Sequence, residues 1–390
     1  MPQISAGIDI AKEVHWITAI DEAGTVLIDH ALDNDPAAIA ALVDELTALD
    51  GAVRVGFDVI GGIAGLAEAM LAASGCTLLH VPGLAVNRAR QGTVGGENKS
   101  DPRDARTIAD QVRTRHDLRV IEPAGEIDIE LRLLVGRRRD LVQAQTQRIA
   151  RMRDLLTGIF PALERALDLT TKGPLHLLTR YVTPAELRRA GAKRIGRHLQ
   201  ASRGGAAICA QALACARAQT IAVPGEAMTA TLIRELAQEA LATRTRLGEI
   251  DRDLKERLAR HPDAALIQSL PGMGAILTAE LIAEAGNLSR FRSPDALAAA
   301  AGIAPVLRQS GKTRFLRRPT GGNKGLKRVF YQAAFCSLAS PDSRAFYDRK
   351  RREGKRHHQA VIALARRRVN VLWAMLQTHQ PFQTGFKNAA

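Results

Sequence analysis

The sequence predicts a three-part chain: a mixed α/β layer at the N-terminus, a long helical arm, and a mainly α C-terminal domain. Three observations carry this. Strand-length and helix-length apolar patterns alternate through residues 1–117. Two extended stretches within 118–262 place leucines near a heptad spacing. From residue 263 to 390 the chain reads as short helices around a Pro-Gly-x-Gly turn, closing on two basic helices.

In the first part, Ile4–Ile10 is a strand by its apolar run. His15–Ile20 and Thr25–Ile28 are two more, split by the turn Asp21-Glu22-Ala23-Gly24. Pro36 opens a helix to about Leu49, with Ile39, Leu42, Val43 and Leu46 on one face. Val53–Phe57 is a strand closed by Gly61-Gly62. Ile63–Ala73 is helical and Thr77–Val81 is another buried strand. The order β-β-β-α-β-α-β is that of an RNase H-like layer, with helices packed against a mixed sheet. A glycine-rich polar loop, Gly92–Asn98, then leads to Ser100. Ser100 is expected to cap a helix running to about Arg115.

The arm begins with a helix over about 126–156, whose seam is Ile127, Leu131, Leu134, Leu141, Met152 and Leu155. A second covers about 227–260, with Leu232, Leu236, Leu247, Ile250, Leu254 and Leu258. This pattern fits an antiparallel coiled-coil arm and equally an ordinary helical bundle. The Ala- and Gly-rich insert between them, about 157–225, reads as helical and names no chemistry. Pro262-Asp263 ends the arm.

Composition narrows the function. The 390 residues carry a net charge of +15 with pI about 10.3, which favours a polyanionic partner. No run of about 18 apolar residues suggests a membrane span, and no secretory signal is evident. Cys76, Cys209, Cys215 and Cys336 form no CxxC pair and read as reduced thiols. A cytoplasmic location is expected from these thiols. Aromatics are only 4%, so extensive base stacking is not expected.

Four carboxylates in the first part can converge. Asp9 and Asp58 each end a strand, and Asp101 and Asp104 stand three apart at a helix start. Hard oxygen ligands in such a cluster suit Mg²⁺ and phosphodiester cleavage. Singly each has an ordinary explanation, since Asp often ends strands and caps helices. Further on, Leu270-Pro271-Gly272-Met273-Gly274 before an apolar helix is the hairpin of a helix-hairpin-helix unit. Gly272 and Gly274 would there bring backbone N–H groups to a phosphate; the plain alternative is a helix-helix turn. In Leu307-Arg308-Gln309-Ser310-Gly311-Lys312-Thr313-Arg314, Ser310 lies in a basic loop. Arg308, Lys312 and Arg314 could hold a phosphate that it attacks; the plain alternative is an ordinary loop serine. Lys324 and Arg328 offer more phosphate-suited groups in the next helix. His357 and His358 point to different faces and make a poor metal pair; Arg366, Arg367 and Arg368 read as a solvated or nucleic-acid-facing surface.

Taken in order, Gly-Ile-Asp9-Ile-Ala-Lys, Gly-Phe-Asp58-x-x-Gly-Gly, Lys-Ser-Asp101-x-x-Asp104-Ala, Leu-Pro271-Gly-Met-Gly and Phe291-x-Ser-x-x-x-Leu-Ala-Ala-x-Ala-Gly302-Ile-Ala-Pro305, followed by Ser310-Gly311-Lys312, resemble the DEDD transposases of bacterial insertion sequences, relatives of Piv-type DNA invertases. The resemblance spans nearly the whole chain. It implies a RuvC-like first domain and a C-terminal transposase domain whose serine, here Ser310, forms a covalent 5′-phosphoserine link to DNA. It also implies Mg²⁺ on the acidic set, a structured bridge RNA that guides target and donor DNA, and homodimers or homotetramers that share active sites. Two positions depart from the family pattern. Asp58 stands where Glu is usual, and Gln309 stands where a second serine is frequent. The rival readings are a Mg²⁺-dependent junction nuclease using water, an actin-like ATPase, and a non-enzymatic nucleic-acid binder.

Overall fold

A computed structural model describes residues 2–93, 97–122, 125–288 and 291–383. It divides into two compact units, Met1–Ala124 and Gly125–Ala390. No helix among the described residues is long and apolar enough to cross a membrane.

The first unit contains β1 (Gln3–Asp9), β2 (Val14–Ile20), β3 (Val26–Asp33), α1 (Pro36–Thr47), β4 (Ala52–Phe57), α2 (Gly65–Ala73), β5 (Thr77–His80), α3 (Gly83–Gln91), α4 (Asp101–Thr114) and β6 (Arg119–Val120). The strands form one mixed sheet in the order β3-β2-β1-β4-β5-β6. β1 pairs antiparallel to β2 and parallel to β4, and β4 is parallel to β5. Side chains alternate between faces along each strand. Ile4, Ala6, Ile8, Val55 and Phe57 therefore join Leu42, Leu46, Ala67 and Leu71 of α1 and α2 in one core. On the other face Leu79 and Val81 pack with Val86 of α3 and Ile108 and Val112 of α4. The result is helix, sheet, helix in three layers.

Local chemistry fixes the helix starts. Asp35 accepts hydrogen bonds from the N–H groups of Ala37 and Ala38, and Pro36 supplies a first residue with no N–H to satisfy. Ser100 holds the N-cap position of α4, yet its side chain makes no capping hydrogen bond. Helix α3 is absent from the apolar periodicity. Its buried face is Val86 and Arg90, one apolar residue and one charge, so no hydrophobic stripe announces it. Val94–Gly96 of the glycine-rich loop lie outside the described residues.

The second unit is built on two long helices. α5 (Glu126–Ile159) is followed by α6 (Pro161–Ala166), α7 (Lys172–Leu178), α8 (Pro184–His198), α9 (Gly205–Ala218) and α10 (Glu226–Leu258), one residue shorter than α5. Ion pairs Glu130–Arg257 (3.2 Å), Arg138–Asp251 (2.7 Å) and Arg148–Glu239 (2.8 Å) join α5 to α10. As the number rises on one helix it falls on the other, so the two run antiparallel. The expected seam holds at Leu131, Met152, Ile250, Leu254 and Leu258, which are buried. It fails at Leu232, which is 40% exposed, while Ala230, Ile233, Ala237 and Ala240 face inward. The reason is the insert. Helices α6–α9 form a core of their own against this half of α10, where the small residues allow close approach.

Beyond the arm come α11 (Ala264–Gln268), α12 (Ala275–Ala285), α13 (Pro294–Ala300), β7 (Val306–Ser310), β8 (Thr313–Arg317), α14 (Lys324–Cys336), α15 (Pro341–Arg352) and α16 (His357–Thr378). One core links them to the near ends of α5 and α10 through Leu281, Ile282, Val329, Phe330 and Leu372. β7 and β8 form a separate two-stranded ribbon.

Candidate active site

The parallel register of β1 and β4 sets Ile8 beside Phe57, so Asp9 and Asp58 follow at the same sheet end. The same register pairs Gly7 with Gly56. Two residues before each aspartate, these glycines share its face of the sheet. They form a bare track beneath α4. A Cβ on Gly7 would lie 2.3 Å from the Ala105 carbonyl oxygen and 2.4 Å from the Ala109 nitrogen; one on Gly56 would lie 2.5 Å from a Val112 methyl. Only without side chains there can α4 lie this close, and its first turn carries Asp101 and Asp104. The repeated Gly-x-Asp in two strands was the available sequence signal for this device.

The electrostatics report the convergence. The Asp9 carboxyl is pushed up to about 7, first by burial, then by the charges of Asp58, Asp104 and Asp101, against a smaller pull from Lys99. Asp58 is also raised, by burial foremost and by Asp104. Its Oδ1 is buried with no hydrogen-bond partner. Asp104 is held differently: Arg90 reaches it at 2.9 Å, with both side chains about nine-tenths buried. Asp101 is exposed. Among the described residues, no three His, Cys, Asp or Glu side chains are close enough to hold one ion. The four carboxylates thus share an electrostatic field but not yet a coordination sphere, since Coulomb coupling reaches further than ligation. Burial together with like charge is the condition that a divalent cation relieves. The orphaned Asp58 oxygen and the hard donor set fit Mg²⁺.

Ser310 lies on a ribbon, not in an irregular loop. It pairs with Thr313 across the two-residue turn Gly311-Lys312. Gly311 has φ +55, the positive value that the first central position of a type II′ turn requires. A serine followed by Gly-x between two alternating stretches was therefore a hairpin signal. Directly opposed residues share a face. Arg308 and Ser310 accordingly stand with Thr313, Phe315 and Arg317, whereas Arg314 stands opposite Gln309 on the other face. Lys312 is in the turn. Every ribbon residue is exposed, and Arg308, Lys312 and Arg314 form no ion pair among the described residues. The base of the ribbon is tied by Asn323, whose N–H donates to the Ala300 carbonyl at 2.7 Å.

The other expected binding residues divide. Gly274 is exposed at the start of α12, with nothing near its Cβ position. Gly272 is packed: a Cβ there would lie 2.4 Å from the Ala333 carbonyl oxygen. Lys324 is exposed at the first turn of α14. Arg328 is ion-paired to the buried Glu280 at 2.7 Å, joining α14 to α12. Arg368 departs from the surface expected of its cluster. It is buried, donates to the Pro271 carbonyl, and is pushed down to about 10 by that burial.

A DEDD-type insertion-element transposase model matches residues 6–161, and the model described as Transposase IS116/IS110/IS902 family matches residues 264–348. The chain belongs to this family of insertion-sequence transposases. It is a DNA transposase. The transposase is 43% identical over 393 residues to the insertion element IS900 42 kDa protein of Mycobacterium paratuberculosis, covering 99% of this chain and 98% of that one. Its identity to the insertion element IS116 44.8 kDa protein of Streptomyces clavuligerus is 41%, covering 97% and 96%. The pilin gene-inverting protein of Moraxella bovis is 31% identical over 123 residues, 30% of the transposase and 38% of that protein. The first match covers the four carboxylates and continues through α5, and the second covers Ser310.

Proposed function

We propose that this transposase cuts and rejoins DNA through a covalent serine intermediate. The observation that carries it is a partly buried set of carboxylates in which burial and like charge push the Asp9 carboxyl up, in a transposase that also presents a bare serine on a basic ribbon. Asp9, Asp58, Asp101 and Asp104 would hold Mg²⁺. When bound, the ion would neutralise charge on the scissile phosphate and favour loss of the serine proton. Ser310 Oγ attacks phosphorus, the Oγ–P bond forms, and the P–O3′ bond breaks. The leaving 3′ oxygen takes up a proton, and the DNA remains attached as a 5′-phosphoserine. Attack by the 3′-hydroxyl of a second strand reverses the step, releases the serine and seals the new junction, so no external energy source is needed. Arg308 and Lys312 hold the phosphate beside Ser310; Gly274 and Lys324 add backbone and side-chain donors for DNA.

The first unit is read as RuvC-like and the α5–α10 pair as a coiled-coil arm. A division at about 262 sets off the serine-bearing domain, 263–390. Guidance by a structured bridge RNA and assembly into homodimers or homotetramers follow from the family resemblance. The decisive experiment is covalent trapping. Ser310→Ala should abolish a denaturation-resistant protein–DNA adduct while leaving DNA binding intact. An adduct that persists in this variant refutes the serine assignment and leaves the water-using nuclease.

A further inference from the structure

We propose that the corner where α14, α15 and α16 meet is a stacking site for an unpaired nucleobase, flanked by cations that take the phosphates of the same single strand. Phe335, in the last turn of α14, is 47% exposed. His357, the first residue of α16, contacts its ring at 6.1 Å with planes at 86°. His357 also meets Tyr347 of α15 at 5.7 Å, and the Tyr347 hydroxyl bonds His357 Nδ1 at 2.8 Å. Three rings from three helices thus meet edge to face in one cluster, in a chain with few aromatics; Phe335 is its most exposed apolar ring, and the hydrogen bond fixes the central one.

The charge around it is one-sided. Residues 344–358 contain seven Lys or Arg against Asp348 and Glu353. Both carboxylates are already occupied, Glu353 by Lys350 at 2.7 Å and Asp348 by Arg344 at 3.3 Å. Arg352 and Arg356 are exposed and form no ion pair among the described residues. An acidic peptide would need the cations but not the rings. A duplex would present phosphates but keep its bases stacked inside. Only a single strand uses both features, its bases on the rings and its backbone on the cations. This site is independent of Ser310 and of the carboxylates, so it stands if the cleavage mechanism above fails.

The test uses full-length Ser310→Ala protein, which removes the proposed nucleophile, with labelled oligothymidine, oligouridine of the same length, and a blunt DNA duplex. Phe335→Leu keeps apolar bulk but removes the π face. It should weaken single-strand binding about 10-fold and leave duplex affinity unchanged. Arg352→Gln and Arg356→Gln should instead flatten the salt dependence of single-strand binding by about 0.7 each in log–log slope. Equal weakening of duplex and single strand by Phe335→Leu, or no weakening, overturns the proposal. Should that variant misfold, photocrosslinking of an iodouracil-containing strand to the Ser310→Ala protein decides: adducts on Phe335, Tyr347 or His357 support the site, and adducts confined elsewhere refute it. A larger loss for oligouridine assigns the strand as RNA, and a larger loss for oligothymidine as DNA.

Discussion

The acidic end of the first unit and the serine ribbon of the second are opposites in construction. Asp9 and Asp58 sit at the ends of paired central strands, and Asp101 and Asp104 open the helix that two glycines draw close to them. Their geometry is set by the core, and their difficulty is electrostatic. The ribbon has every residue exposed, including Leu307, Phe315 and Leu316. Among the described residues its charges form no ion pair and its two strands have no third beside them. A two-stranded ribbon of this kind gains little stability alone, and a basic one fits a groove of duplex DNA. In the proposed mechanism, one half of the chemistry is built in advance and waits for positive charge, and the other is a bare carrier that needs a polyanion to hold it.

The largest effect that would break this contrast comes from the glycines. Gly7→Ala drives a Cβ into the backbone of α4, and it should destabilise the protein by about 3 kcal/mol and abolish metal-dependent cleavage. Gly311→Ala strains only an exposed turn. It should leave thermal unfolding nearly unchanged while reducing adduct formation. Calorimetry and trapping on both variants check this pair, and equal losses of stability would erase the distinction.

Next in size is the dependence on pH. The folded-state Asp9 carboxyl, at about 7, lies above its ordinary value of 3.8. Between these limits the folded state binds more protons than the unfolded one. Metal-free stability from this group is therefore greatest below about pH 4 and is lost as pH rises through 7. Asp58 acts in the same direction. Melting curves of the wild type and Asp9→Asn in chelator should diverge in favour of the variant as pH rises. Added Mg²⁺ should stabilise the wild type increasingly over the same interval, because its ligands must first lose their protons. A pH-independent difference between the two proteins would remove the carboxylate field from the account.

The smallest effect tests the faces of the ribbon. Arg308 shares a face with Ser310 and Arg314 does not. Arg308→Gln should slow adduct formation about 10-fold, in the range of one lost phosphate-stabilising donor. Arg314→Gln should change it less than about 2-fold and act mainly through the salt dependence of binding. Equal effects would mean that the ribbon is remodelled when it meets DNA.

Much of this was legible in the chain. Asp9, Asp58, Asp101 and Asp104 were visible because strand ends and helix starts follow from short-range patterns, and Gly-x-Asp marks both strands. Ser310 is visible by its basic neighbours, but its ribbon is not, because a single Gly-x is a weak turn signal. Helix α3 was not legible, since its inward face is Val86 and the charged Arg90. That omission hid the cation that holds Asp104. The exposure of Leu232 was hidden because periodicity shows a stripe but not its partner, and the insert chose the alanine face.

The amino-acid sequence alone determined the alternation of strands and helices, the positions of the four carboxylates, the two long helices and the excess of positive charge. These depend on local propensity and on composition, which do not require knowing what touches what. Tertiary structure decided the rest: that Gly7 and Gly56 lie side by side under α4, that Arg90 claims Asp104, that Arg328 and Arg368 turn to internal partners, and that Phe335, Tyr347 and His357 meet. The reason is physical. Whether a charge is free, paired or buried depends on groups distant along the chain, and close packing alone brings those groups together.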